Sequence, residues 1–332
     1  MLRFLSVLLS SCALAFLGAV PAVAQVVEST GIRALGMGGA FVAVANDSSA
    51  TWWNPAGLAT GPFVDAGLSG ATTETAGGHP ATRVGAGSFA LVTPALGLSL
   101  HRFRVTEVPA RSTGTGSVGR QAEEGTPVRS LTAWQLGATL VQTVLPGVHA
   151  GATVKYVRGA VRRSVVTDRA VADQLDAAHD AGGPAVASGT ADLDVGVMAT
   201  AGPLRAGLLV RNVTQPSLAG VELPRQARVG AAFDGGAMGG PPMTLAVDAD
   251  MRVYDSATGP RRVVAVGGEQ WLLARRLGLR AGARVNTTGL RERSVTAGMS
   301  VAVRAGMYLE GHVIRGGSRD ERGWGVASRV SF

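Results

Sequence analysis

Residues 275–286 read RRLGLRAGARVN, and this stretch decides the fold class. From Leu277 onwards every residue of one parity is apolar: Leu277, Leu279, Ala281, Ala283 and Val285. The other parity carries Arg, Gly and Asn: Arg276, Gly278, Arg280, Gly282, Arg284 and Asn286. Successive side chains of a strand point to opposite faces, so the stretch predicts a β-strand with one apolar and one polar face.

The same alternation recurs along most of the chain, with turn-forming residues between the segments. The candidate strands lie near 62–72, 82–92, 95–107, 130–144, 147–163, 190–201, 203–213, 225–234, 242–254, 261–272, 275–287, 292–303, 304–316 and 321–332. An even number of strands of about 10 residues with one apolar face is the pattern of a transmembrane barrel. A soluble β-protein would show the same period, but its strands usually have about 5 to 6 residues. The sequence therefore predicts an all-β chain that forms a 14-stranded antiparallel transmembrane β-barrel.

Composition excludes several other classes of protein. Apolar residues make up 46% of the 332 residues, charged residues 16%, and the mean hydropathy is +0.23, which argues against disorder. Beyond the first residues no apolar run approaches the roughly 18 residues of a membrane helix. The net charge of +8 comes from Arg residues spread along the chain, with Lys155 as the single Lys, so we expect no nucleic-acid partner.

The first residues have the features of a secretory leader. Arg3 precedes an apolar run from Phe4 to Val20, and Ala22-Val23-Ala24 has the form of a cleavage site. We therefore predict a signal peptide over 1–24 and export to the outer membrane of a Gram-negative-type bacterium. Cys12 lies inside this leader, so the mature chain would have no disulfide, thiol nucleophile or Cys metal site. Leu9-Ser10-Ser11-Cys12 also loosely resembles a lipoprotein processing site, which is the alternative.

The lengths of the connections predict the orientation of the barrel. Short links at 145–147 and 304–306 are expected to be periplasmic turns, because such barrels have short turns inside and long loops outside. Longer links at 108–129, 164–190, 255–260 and 317–320 are expected to be extracellular. Within the longest, Asp168–His179 has the Ala, Leu and acidic content of a short surface helix.

Charged residues on the polar strand faces are the candidate lumen residues. Two pairs of carboxylates at i, i+2 share one strand face: Asp192 with Asp194, and Asp248 with Asp250. Four Arg residues lie on the corresponding face of other strands: Arg205, Arg211, Arg280 and Arg284. We interpret them as lumen ion pairs, the alternatives being acid–base catalysis or a Ca²⁺ site.

No motif for catalysis, metal binding or a cofactor stands up to its structural requirements. Residues 114–119 match the dinucleotide pattern G-x-G-x-x-G, but they lie in a polar loop rather than between a strand and a helix. The five His residues are far apart and lack metal-ligand spacing. We therefore predict a protein that is not an enzyme and holds no cofactor.

Residues 31–59 break the alternation and carry the most specific motif of the chain. The run from Arg33 to Asp47 reads RALGMGGAFVAVAND, and the run from Ser49 to Leu58 reads SATWWNPAGL. Both resemble the N-terminal signature of the FadL-like outer-membrane superfamily, most closely its shorter PorV/PorQ branch. Later stretches resemble that branch too, at 154–158, 191–196, 211–213 with 223–225, and 229–233, so the resemblance covers nearly the whole mature chain.

The resemblance implies a 14-stranded barrel in which the N-terminal segment folds inward as a plug. We accordingly divide the chain into a plug segment over 25–61 and a barrel over 62–332. The residues that the resemblance and their turn chemistry assign to the plug are Gly38, Gly39, Asn46, Asp47, Trp53, Asn54, Pro55 and Gly57. Trp52 and Trp53 would anchor the plug or an interface, or stack on a ligand.

The resemblance also sets the functional hypotheses. PorV-type members act as accessory barrels for exported proteins, whereas FadL members pass hydrophobic molecules through the wall. We predict an accessory barrel or conduit for exported protein or hydrophobic cargo; the alternatives are a hydrophobic-compound transporter and a structural barrel with a filled lumen. Phe332, the final residue, resembles the assembly signal of bacterial barrels, so outer-membrane lipid and the barrel-assembly machinery are the expected partners.

Overall fold

The chain forms a closed barrel of fourteen antiparallel strands. The computed structural model describes residues 30–109, 125–167, 170–180, 184–256, 259–317 and 319–332. The predicted signal peptide lies outside these residues, as does most of the predicted loop 108–129. No helix among the described residues is long and apolar enough to cross a membrane.

Fourteen long strands form the wall, and two short hairpins accompany them. The wall strands are β1 (Asp65–Thr75), β2 (Ala81–Val92), β3 (Leu96–Val108), β4 (Thr126–Leu145), β5 (Val148–Val166), β6 (Ala185–Ala201), β7 (Leu204–Arg211), β10 (Gln226–Asp234), β11 (Met243–Asp250), β14 (Val263–Leu272), β15 (Leu277–Asn286), β16 (Arg293–Arg304), β17 (Met307–Gly316) and β18 (Glu321–Ser331). The hairpins are β8 (Ser217–Leu218) with β9 (Val221–Glu222) and β12 (Tyr254–Ser256) with β13 (Gly259–Arg261).

The barrel closes where the first and last wall strands pair. The β1–β18 register runs from Asp65 opposite Ser331 to Thr75 opposite Glu321. Each predicted strand corresponds to one wall strand, so the fold class is confirmed. The alternation succeeded because the side-chain period of a strand is a local property of the backbone.

The connections differ in length between the two ends of the barrel. At one end, here called the short-turn end, tight turns join β4 to β5 and β16 to β17. Gly147 and Gly306 provide the positive φ, 78° and 76°, that such two-residue turns require. The other end, here called the long-loop end, carries the longer connections and helix α3 (Val171–Asp180). This helix overlaps the predicted stretch Asp168–His179 and ends one residue beyond it.

Helix α3 packs on the outside of the wall. Its Leu175 and Ala178 contact a buried cluster of Ala81, Val108 and Val128 on outward-facing strand positions. Strands β4, β5 and β6 extend further towards the long-loop end than predicted, by up to five residues. The helix covers the outward face of the extended ends of β4 and β5.

One predicted strand ends earlier than its pattern indicates. The prediction over 242–254 ran through Met251 and Val253, but β11 stops at Asp250 and both side chains are exposed. The Asp250 carboxylate accepts a hydrogen bond from the backbone N–H of Val263 at 2.7 Å, which fixes the start of β14. Alternation alone does not show where the partner strand begins.

Outward positions of the wall are apolar and exposed over most of the circumference. They include Leu68, Phe89, Leu98, Leu136, Val154, Leu208, Val247, Leu279, Val295, Val313 and Trp324. A continuous apolar surface of this extent does not occur on monomeric proteins in water, so this face fits a lipid environment.

Candidate functional site

Residues 30–61, here called the N-terminal segment, lie inside the barrel towards its short-turn end. The segment contains helices α1 (Ile32–Gly36) and α2 (Ala50–Trp53) and a 3-10 helix over Pro55–Thr60. Its side chains are buried almost throughout, and Phe41, Trp53 and Leu58 belong to the main apolar core of the molecule.

Glycines on the inner face of the wall let the backbone of the segment come close. A Cβ at Gly207 would collide with the backbone of Val42, and a Cβ at Gly267 or Gly282 would collide with that of Met37. The inward glycines that face the segment, here called the glycine belt, are Gly67, Gly97, Gly151, Gly196, Gly207, Gly230, Gly267, Gly282, Gly298 and Gly325. The belt accounts for part of the Gly residues of the chain. In the sequence these residues are visible as Gly on the polar faces of the predicted strands.

Arg33 connects the N-terminal segment to the wall. Its guanidinium donates two hydrogen bonds of 2.8 Å to the carboxylate of Glu269, and it also contacts Asn46 at 2.6 Å and Asp47 at 3.2 Å. Arg280 donates to the same Glu269 at 2.6 Å. Arg33 and Glu269 were not among the site residues predicted from the sequence, whereas Asn46, Asp47 and Arg280 were.

Electrostatics keep this junction ionised. Burial alone would raise the pKa of Asp47, but Arg33 and Arg329 outweigh burial and hold that pKa below its ordinary value. Burial would likewise lower the pKa of Arg33, but Glu269 and Asp47 raise it above the usual range.

The other motif residues shape the segment itself. Asn54 donates from its amide to the carbonyls of Val42 at 2.8 Å and Val197 at 3.1 Å, and it accepts from the Ala56 N–H. Pro55 begins the 3-10 helix. Trp53 donates to the carbonyl of Thr30 at 2.9 Å.

The motif glycines stand where a side chain would not fit. Gly38 and Gly39 adopt positive φ angles of 70° and 85°. A Cβ at Gly57 would collide with the carbonyl oxygen of Ala45. The run of small residues is therefore a requirement of the packed segment.

The predicted lumen carboxylates all face inward and are buried, but their partners differ. Asp248 accepts the backbone N–H groups of Phe41 and Val42 at 2.8 Å each, so it binds the N-terminal segment rather than an Arg. Asp250 pairs with Arg228 at 2.7 Å. Asp192 and Asp194 both contact Lys155, at 3.1 and 2.5 Å.

The predicted lumen arginines also find partners that the sequence did not indicate. Arg205 pairs with Asp234 at 2.7 Å and Arg284 with Glu321 at 2.5 Å. Arg211 donates to the carbonyl of Trp52 at 2.7 Å, and its guanidinium lies 4.2 Å from the centre of the Trp52 ring.

A second piece of chain enters the lumen from the long-loop end. Residues 212–225, here called the inner loop, contain the β8–β9 hairpin and were not predicted to fold inward. Asn212 accepts from Lys155 at 2.7 Å, Thr214 donates to Asp192 at 2.8 Å, and the Ala219 N–H donates to Ser188 at 2.7 Å. Leu218 packs against Ala133 and Val157 of the wall. The carboxylates of β6 thus hold the loop through Lys155 and Thr214.

Where the two inserts approach each other, they enclose an apolar pocket, here called the lumen pocket. Its apolar walls are Trp52 of the N-terminal segment, Leu223 of the inner loop, and Phe103, Leu131, Ala133 and Val157 of the strands. Its polar walls are Gln135, Arg211, Asn212 and Gln226. The cavity has a volume of about 40 Å³ in this conformation.

The remaining sequence features do not form a site. Among the described residues, no three His, Cys, Asp or Glu side chains come together as metal ligands. The G-x-G-x-x-G stretch at 114–119 lies outside the described residues. Phe332 is 70% exposed at the short-turn end, and its backbone pairs with Val64.

Comparisons with known proteins find relatives by fold only. No protein-family model matches the chain, and no curated protein matches it by sequence. A solved structure of the CymD monoaromatic hydrocarbon channel superposes with a TM-score of 0.63 at 14% identity, over 93% of this chain and 99% of that chain. The Ralstonia pickettii toluene transporter TbuX gives 0.62 at 14% identity, over 92% and 99%. A Pseudomonas aeruginosa FadL homologue gives 0.60 at 11% identity, over 93% and 100%.

These identities establish the architecture and nothing finer. The chain has the fold of the FadL-type barrels, fourteen strands around an inserted N-terminal segment, as its N-terminal motif indicated.

Proposed function

We propose that this protein is an outer-membrane channel that admits small hydrophobic molecules into a lumen closed at rest. The lumen pocket carries the proposal, because an apolar cavity inside an otherwise charged lumen is the kind of site that binds a small apolar ligand. Solved structures with the same fold include a monoaromatic hydrocarbon channel and a toluene transporter.

The apolar outward face of the wall supports the proposed location. Export by the predicted leader and assembly through the terminal Phe332 fit an outer membrane of the Gram-negative type. The partners would then be outer-membrane lipid, the barrel-assembly machinery and the cargo. A channel of this kind transports and needs no catalytic residue.

The fold comparisons favour this small-molecule role over the accessory role in protein export that the PorV/PorQ-like motif first suggested. The related structures are small-molecule channels. We expect the inner loop to be the part of the lumen pocket that moves, because the other walls of the pocket are strands or the tightly bound N-terminal segment.

Uptake of radiolabelled toluene by intact cells that express the protein tests the proposal. We expect uptake above that of cells lacking the protein, and we expect Leu223→Trp to reduce it severalfold by filling the lumen pocket. Leu290→Trp is the matched control, because Leu290 is exposed in the connection between β15 and β16. The proposal fails if wild-type cells take up no more toluene than empty cells, or if Leu223→Trp leaves uptake at the wild-type level.

A further inference from the structure

Gln135, in the wall of the lumen pocket, has a polar neighbour, His101, which does not itself line the pocket. His101 on β3 and Gln135 on β4 are cross-strand partners in the wall. Both face the lumen and are buried, with 1% and 5% of their surfaces exposed. Cross-strand partners on one face lie within reach of a common ligand.

Three nitrogen atoms of this pair are unsatisfied. Within the described ranges, no hydrogen-bond partner lies near either ring nitrogen of His101 or near the Nε2 of Gln135. Most buried polar groups have one, so three such atoms side by side call for an explanation. A ligand that brings its own polar atom would provide it.

The surroundings of the pair are aromatic. The Trp52 ring lies 5.1 Å from the His101 ring and 5.0 Å from the Phe103 ring, measured between centroids. Gln135 lines the lumen pocket itself, together with Leu223. An aromatic lining of this kind favours a flat aromatic ligand, which can stack on a ring or contact its edge, over an aliphatic chain.

The charged group nearest the pocket is already engaged. Arg211 donates to Gln226 and to the carbonyl of Trp52, and it also stacks on the Trp52 ring. An anionic ligand would have to compete with these partners for the guanidinium, whereas a neutral ligand leaves them in place. We therefore consider neutral ligands.

We propose that the lumen pocket selects small neutral aromatic compounds that carry a carbonyl or hydroxyl oxygen, in preference to plain hydrocarbons. The ring would lie among Trp52, Phe103 and Leu223, and the oxygen would accept a hydrogen bond from Gln135, with His101 beside it. An amide nitrogen only donates, so a plain hydrocarbon would leave it unpaired. This inference rests on the proposed function and names its substrate class.

The pocket must widen to admit such a ligand. A benzene-sized molecule fits an apolar cavity of about 150 Å³, well above the present 40 Å³. Movement of Leu223 with the inner loop supplies the space without disturbing the hydrogen bonds of the wall.

Equilibrium binding to the purified barrel in detergent micelles tests the selectivity. The probes are radiolabelled acetophenone and α-methylstyrene, which differ only by a carbonyl oxygen in place of a CH₂ group, with binding to empty micelles subtracted. We measure the ratio of the two affinities in the wild type, in Gln135→Leu and in His101→Phe. The ratio cancels differences in partition between water and micelle, because only its change between proteins counts.

We expect Gln135→Leu to shift the ratio against acetophenone by about threefold to tenfold, the worth of one neutral hydrogen bond. Gln142→Leu, an exposed site on the same strand, should leave the ratio unchanged. Heat-modifiable migration on gels verifies that each variant folds, and His101→Phe provides the second test if Gln135→Leu does not. Binding of both probes with an unchanged ratio in the folded variants overturns the selectivity but keeps the proposed function. Binding of neither probe overturns both.

Discussion

At the scale of the residue, Arg33 shows how much one side chain holds in place. Its partner Glu269 lies 236 positions away in the sequence, and the two carboxylate oxygens of Glu269 both accept from it. Asp47 on the segment contacts the same guanidinium, so the junction ties α1, the following turn and β14 together. Buried pairs of this kind lose far more when one partner is removed than they contribute as a pair.

We expect Arg33→Met to weaken docking of the N-terminal segment by about 1–3 kcal/mol, because Glu269 loses two charge-assisted hydrogen bonds but keeps Arg280 as its cation. Limited proteolysis of the folded barrel measures the effect as faster cleavage within residues 30–61. Arg291→Met, at an exposed loop position, serves as the control. Equal cleavage rates in the two variants would show that Arg33 does not anchor the segment.

The two faces of a wall strand should respond differently to charge. Val247 is 44% exposed on the outward face of β11, whereas Thr244 lies on the inward face opposite Glu269. We expect Val247→Arg to cost about 2–4 kcal/mol of insertion free energy and Thr244→Arg much less. Folding titrations into lipid vesicles measure both values. Similar costs on both faces would contradict a membrane barrel.

Among the structural elements, two segments that are not part of the wall, the N-terminal segment and the inner loop, fill the lumen from opposite ends. The N-terminal segment packs on the glycine belt and is held by Asp248 and Glu269. The inner loop is held by Lys155, Asp192 and Ser188. The first is built into the main apolar core, whereas the second packs on two smaller apolar clusters through Leu218 and Val221, so we expect the inner loop to open more readily.

Deletion of residues 31–57 should leave an inserted barrel that passes small solutes. The wall closes through β1 and β18 without the segment, and a barrel of fourteen strands is wide enough to leave a lumen. Single-channel conductance in planar bilayers provides the measurement. If the deleted and full-length proteins conduct alike, the segment does not act as a plug.

Locking the inner loop should stop uptake. Ser188 and Ala219 are joined by a hydrogen bond of 2.7 Å, so Ser188→Cys with Ala219→Cys places two thiols close together. Cys12 is the single natural Cys and lies in the predicted leader, so no other disulfide competes. We expect toluene uptake to fall severalfold under oxidising conditions and to recover with a reductant. Uptake that ignores the redox state, with the disulfide shown to form, would exclude the inner loop as the gate.

At the scale of the whole molecule, the barrel has two unlike ends. The short-turn end carries tight turns, the chain terminus at Phe332 and the entry of the N-terminal segment. The long-loop end carries α3, the inner loop and the β12–β13 hairpin. From the difference in loop length we predict that the long-loop end faces the outside of the cell.

Protease treatment of intact cells tests this orientation. Residues 108–129 and 164–190 should be cleaved, while the turns at 145–147 and 304–306 should be protected. Cleavage is read by mass spectrometry of the fragments, with permeabilised cells as the control for intrinsic susceptibility. The opposite pattern would reverse the orientation.

The sequence by itself determined the strands, their number and which of their faces is polar. These properties can be predicted from short stretches such as 275–286 and 293–304, because the direction of a strand side chain depends only on its own backbone. For the same reason Asp192, Asp248 and Arg280 could be predicted to face inward. It also located the segment that breaks the period.

The tertiary structure alone decided the partners of those residues. Glu269 pairs with Arg33, Asp248 accepts hydrogen bonds from two backbone N–H groups, and Lys155 lies between two carboxylates. These partners depend on the strand register and on the chain segments that fill the lumen. The inward course of residues 212–225 could not be predicted, because a loop has no periodic pattern of side chains. Whether it enters the lumen depends on the contacts that the opposite wall provides. The lumen pocket exists because these two inserts come together there.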